Sequence, residues 1–86
     1  MPLEEERLDE PIEVIFYFGV DEKRPVRFRR GSDVIRIATA KGYWRRREGA
    51  TVNHYWAVTD HAGTYYELEL NADHLDWRLT RIVFAT

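Results

Sequence analysis

Tyr43-Trp44-Arg45-Arg46-Arg47 is the run in this sequence with the most chemistry to offer. Aromatic rings stack on nucleobases and guanidinium groups neutralise phosphates, and a groove combining the two holds single strands with little regard to their sequence. A second set, Arg27, Arg29 and Arg36, alternates with apolar neighbours. Arg27 and Arg29 are two apart, so on a strand they project from one side at about 6.5–7 Å, a spacing that suits phosphates along a chain. Either set also suits an acidic protein or a second copy of the chain, because Tyr, Trp and Arg concentrate at protein interfaces. The competing reading is packing: Trp44 under a sheet, with the arginines solvated or paired with Glu4–Glu6. The candidate binding set is therefore Arg27, Arg29, Arg36, Tyr43, Trp44, Arg45, Arg46 and Arg47. Its expected occupant is single-stranded nucleic acid, with an acidic protein partner or a homodimer as the alternative.

Nothing else in the chain assembles into a reaction centre. There is no cysteine, which excludes disulfides, thiolate metal sites and a cysteine nucleophile. His54, His61 and His74 are not at the spacing of paired metal ligands, and two of them fall in different turns. Asp60 beside His61 and Asp73 beside His74 sit where acids cap backbone groups. Ser32 is the one serine and lies in a turn without a nucleophile-elbow setting. No glycine-rich loop cradles a phosphate. The expectation is a non-enzymatic domain without metal or cofactor.

The elements that carry these residues read as strands. Ile12, Val14, Phe16 and Phe18 share one face at period two after Pro11. Val26 and Phe28 alternate with Arg27 and Arg29, the Arg30-Gly31-Ser32-Asp33 turn follows, and Ile35 and Ile37 flank Arg36. Lys41–Ala50 is the least strand-like stretch after the N-terminus, with Gly42 marking a bulge or bend. Val52–Thr59 is aromatic and β-branched throughout, and places His54 on the face of Trp56 and Val58. Asp60–Gly63 turns, Tyr66, Leu68 and Leu70 point inward, Asn71–His74 turns, and Leu75, Trp77 and Leu79 alternate. Ile82 and Phe84 are out of phase with Leu79, which calls for one bulge at Thr80-Arg81. The sum is an all-β domain over residues 11–86: about six antiparallel strands in a meander, curled into an SH3-like, partly open barrel, with an orthogonal β-sandwich as the alternative. Phe16, Phe28, Ile35, Ile37, Trp56, Leu68 and Trp77 are the expected core.

With 86 residues the chain supports one modest core. Its net charge of −2 conceals a segregation. Residues 1–22 hold eight acids against Arg7, residues 23–47 ten bases against Asp33, and residues 48–86 six acids against Arg78 and Arg81. A local basic surface follows, without the overall basicity of a constitutive nucleic-acid binder. Residues 1–10 read as a flexible acidic arm, able to dock on that surface. No apolar run approaches the length of a membrane span, and the acidic start is unlike a signal peptide, so the expected location is cytoplasmic.

His54–Leu68 and the following Trp77-Arg78-Leu79-Thr80-Arg81-Ile82-Val83-Phe84, together with Pro25-Val26-Arg27-Phe28, carry a resemblance. Over residues 11–86 the chain resembles a small bacterial β domain. That domain occurs alone and at the C-terminus of ImuB-like proteins, non-catalytic relatives of Y-family DNA polymerases. The resemblance implies an accessory domain near DNA-damage-tolerance machinery, and implies no catalytic residue. Lys41–Ala50 matches that pattern only loosely.

Overall fold

The computed structural model describes residues 3–85, which form six strands: β1 (Leu3–Phe18), β2 (Lys23–Arg30), β3 (Asp33–Glu48), β4 (Thr51–Asp60), β5 (Tyr65–Asn71) and β6 (Asp76–Ala85). Each strand pairs antiparallel with the next, and β6 returns to β1, so the meander closes into a ring. No helix among the described residues is long and apolar enough to cross a membrane.

The ring is unequal because β1 and β3 are each 16 residues long and serve two partners in turn. Leu3–Ile12 pairs with β6 and Glu13–Phe18 with β2. Asp33–Arg36 pairs with β2, and β3 from Ile37 onward pairs with β4. A larger sheet, β1-β6-β5-β4-β3, therefore faces a smaller one, β1-β2-β3. Both long strands change partner beside irregularities. Val26 is extra opposite Ile15/Phe16 on β1, next to buried Pro25, whose missing N–H is tolerated at a bulge. Ala38 and Lys41 are extra on β3 opposite β4. The bend expected at Gly42 is thus real, with Lys41 as the inserted residue.

The core lies between the two sheets. Ile12, Phe28, Trp56, Val58, Tyr66, Leu68, Leu79 and Ile82 are buried, and Phe16, Ile35, Ile37, Leu70 and Trp77 pack against them half-exposed. Leu79 and Ile82 are both inward because Thr80 has no partner between Leu68↔Leu79 and Glu67↔Arg81, the bulge that the change of parity requires. The turns at Gly31, Gly49 and Gly63 have positive φ, as their short hairpin connections demand.

Two expectations are corrected. Residues 3–10 are not an arm: they are the first half of β1, laid against β6 from Leu3↔Ala85 onward. Of the apolar residues there only Leu8 packs on the core, so the segment lacks the alternation that marks a strand and is held chiefly by its ladder. Its acids do not dock on Tyr43–Arg47. Glu10 takes a two-pronged contact from Arg30 (2.8 and 3.1 Å), Asp9 contacts Arg78 (3.3 Å), and Glu5 lies 3.2 Å from both Arg7 and Arg81. Secondly, the stretch beyond the Lys41 bulge, Gly42–Glu48, is regular strand, held by its partner β4, which is buried on both faces from Tyr55 to Val58.

Candidate functional site

Strand alternation divides the Tyr43–Arg47 run between two surfaces. Trp44 and Arg46 stand opposite Tyr55 and Asn53, on the outside of the larger sheet. There Trp44 stacks on Tyr55 with ring centres 5.5 Å apart and planes within 8°, and the Arg46 guanidinium lies 5.5 Å from the Tyr55 ring centre. Tyr55 donates to Glu69 Oε2 at 2.9 Å. Burial, reinforced by that bond and by the carboxylate's charge, pushes the Tyr55 phenol up to about 12. Trp44 is a packing residue on this side.

Tyr43, Arg45 and Arg47 take the other surface, opposite Trp56, His54 and Val52. Here the barrel opens into a cleft of about 640 Å³, lined by Phe16, Phe18, Lys23, Tyr43, His54, Trp56, Leu70, Leu75 and Trp77. Its volume falls in the range of small-ligand sites. The rings form one continuous surface. Phe16 meets Trp56 edge-on at 5.0 Å, Trp56 lies 5.3 Å from Trp77, and Tyr43 lies 4.9 Å from Trp56. Tyr43 stacks on His54 within 17° and shares a 2.6 Å hydrogen bond between its hydroxyl and His54 Nδ1. That bond fixes a ring that is still 51% exposed, and Phe18 is 75% exposed beside it. Leu75, on the rim, is an exposed apolar residue at φ 57°. A non-glycine side chain in that region is strained, and such strain gathers at functional sites.

Arg27, Arg29 and Arg36 are elsewhere, on the outer face of the smaller sheet. Arg27 and Arg36 are direct cross-strand partners, and Arg29 is ion-paired with Glu13. Among the described residues, Lys23, Arg27, Arg36, Lys41, Arg45, Arg46 and Arg47 hold no ion pair, whereas Arg7, Arg24, Arg29, Arg30, Arg78 and Arg81 each have one. The unneutralised positive charge is thus concentrated on β3. No group of three or more His, Asp or Glu among the described residues is arranged to hold a metal ion.

The eight candidates therefore fall into three places: Arg27, Arg29 and Arg36 on the smaller sheet, Trp44 and Arg46 outside the larger one, and Tyr43 in the cleft wall with Arg45 and Arg47 further along the same face of β3, outside the lining. Phe16, Phe18, Lys23, His54, Leu75 and Trp77 belong to the site without having been singled out for it. The signals toward them in the sequence are the shared parity of His54 with Trp56, that of Phe16 with Phe18, and the alternation that carries Leu75 and Trp77. No family model, curated protein or solved structure matches this chain.

Proposed function

We propose that this domain binds single-stranded nucleic acid in the aromatic cleft without acting as an enzyme. The observation that carries the reading is a solvent-open, prearranged ring surface bordered by cations that no acid neutralises. Bases stack on Tyr43, Phe18 and Trp77. Lys23, Arg45 and Arg47 hold the phosphates, and Arg27 and Arg36 act as a separate, weaker anion contact. A damage-tolerance setting, implied by the resemblance to ImuB-like C-terminal domains, would supply such single strands.

Fluorescence anisotropy with labelled oligothymidine and with a duplex of equal length tests this. Binding to the single strand should be tighter and fall with salt, by about 0.7 in log–log slope per phosphate neutralised. Arg45→Ala should flatten the slope by about that amount. Tyr43→Ala should cost about 1–3 kcal/mol and leave the slope unchanged, because a ring releases no counterion. Trp44→Ala should affect binding least, since it lies on the opposite surface. Absence of binding at about 0.05 M salt, with the fold intact, refutes the reading, because phosphate contacts of this kind are strongest at low salt.

A further inference from the structure

The ring is closed, yet two strands are paired along one edge only for more than half their length. Leu3–Ile12 of β1 is bonded to β6 and, among the described residues, has no strand on its other side until Glu13 meets β2. Ile37–Glu48 of β3 is bonded to β4 alone. Each such edge leaves alternate backbone N–H and C=O groups without a ladder partner, a template for another strand.

The two edges are opposite in charge. The first carries Glu4, Glu5, Glu6, Asp9 and Glu10 against Arg7; the second carries Lys41, Arg45, Arg46 and Arg47 against Glu48. Residues 3–7 and 45–48 are all exposed. Among the described residues Glu4 and Glu6 hold no ion pair, and neither does any of the four cations. Pairing like edges would set Glu against Glu or Arg against Arg, which destabilises a ladder; only the mixed pairing sets opposite charges together. Irregularities narrow the usable lengths. Pro11 and the shift between Arg7 and Glu10 leave Leu3–Arg7 on β1, and the bulges at Ala38 and Lys41 leave Gly42–Glu48 on β3.

We infer that the chain self-associates, the Leu3–Arg7 edge of one copy adding as a strand to the Gly42–Glu48 edge of the next. The contact is heterologous, so growth continues past a pair unless the rotation between copies closes a ring. A neighbour's acidic edge also covers Arg45 and Arg47, so self-association and anion binding at the cleft compete. The inference rests on the edges and their charges and stands apart from the proposed function.

Sedimentation equilibrium of the full chain tests it. Mass should rise with concentration above the 10.3 kDa of one chain at about 0.01 M salt. It should return to one chain at about 1 M, where the screening length has shrunk from about 30 to about 3 Å. Glu4→Arg with Glu6→Arg should sediment as a monomer, and so should Arg45→Glu with Arg47→Glu. An equimolar mixture of the two should associate again, because each then offers the edge the other lacks. All four positions are exposed, and circular dichroism verifies that each variant is folded. A monomer at every concentration, association indifferent to charge reversal, or a mixture that stays monomeric each overturns the inference. Oligothymidine binding by the Glu4→Arg/Glu6→Arg variant, which keeps every β3 arginine, reads the proposed function separately: its absence alongside the expected association refutes that function and leaves the inference standing.

Discussion

Replacing Tyr66 with Phe removes one hydroxyl and leaves a buried ring in place. The Asp60 carboxylate organises the β4–β5 turn, accepting from the backbone N–H groups of Ala62 (2.9 Å) and Thr64 (3.0 Å) through Oδ1 and from the Tyr66 hydroxyl (3.0 Å) through Oδ2. Tyr66 also packs edge-on against Phe28 at 5.1 Å. Burial, followed by the hydrogen bond to Asp60 and that carboxylate's charge, pushes the Tyr66 phenol up to about 12. In the unfolded chain it titrates near 10. A phenol raised in the folded state contributes its stability in full below about pH 10, and loses it as pH climbs from about 10 to about 12, because the unfolded chain gives up its proton first. The displacement corresponds to at most about 2.7 kcal/mol. At neutral pH, Tyr66→Phe should cost about 1.5–3 kcal/mol, the value of a hydrogen bond to a charged acceptor. Between about pH 10 and 12 the variant lacks the alkaline loss from this residue, so the gap between the two proteins should close. Urea unfolding followed by tryptophan fluorescence from about pH 7 to 12 measures both limbs. A gap that stays constant over that range would refute the assignment of the alkaline limb to Tyr66.

Phe28→Ala, at a ring 1% exposed between the sheets, should cost about 3–5 kcal/mol in the same urea assay. Leu75→Gly should raise stability by up to about 1 kcal/mol by relieving the left-handed backbone, while weakening oligothymidine binding at the cleft rim. The hydrogen bond from Arg30 holds the Glu10 carboxyl below its ordinary value. Its contribution is therefore present above the unfolded carboxyl pKa and lost as pH falls through the lower folded value. Thermal melts of Glu10→Gln should show a shallower decline on acidification than those of the parent chain.

What the sequence discloses here is whatever period two and local turn chemistry encode. Gly31 marks the β2–β3 hairpin because a short connection needs its positive φ. The phase change between Leu79 and Ile82 locates the Thr80 bulge to within a residue, since both side chains must reach one core. The first half of β1 is not legible, because only Leu8 turns inward there and its partner β6 lies at the far end of the chain. The division of Tyr43–Arg47 between two surfaces follows from alternation once the stretch is known to be strand, but nothing local declares it one. The cleft is the least legible feature. Phe18 and Lys23 flank one turn, Leu75 sits in another, and Tyr43 and His54 rise on a third hairpin. Only closure of the ring gathers them.

That closure also sets the order of events when the chain folds. Every pairing but one joins neighbours in sequence, across connections such as Gly31-Ser32 and Gly49-Ala50. The exception sets Leu3 opposite Ala85 and requires almost the whole chain to form a loop, at an entropic cost of about 4 kcal/mol. Contact order therefore predicts that the hairpins assemble early and that the β1–β6 seam, which closes the longest loop, zips last. Because Leu3 and Ala85 lie side by side, a short linker joining the two ends of the chain, with the chain reopened in the exposed turn at His61–Gly63, converts the most distant contact into a local one. Such a permuted chain should reach the same barrel faster, which separates the speed of folding from the stability of what is folded.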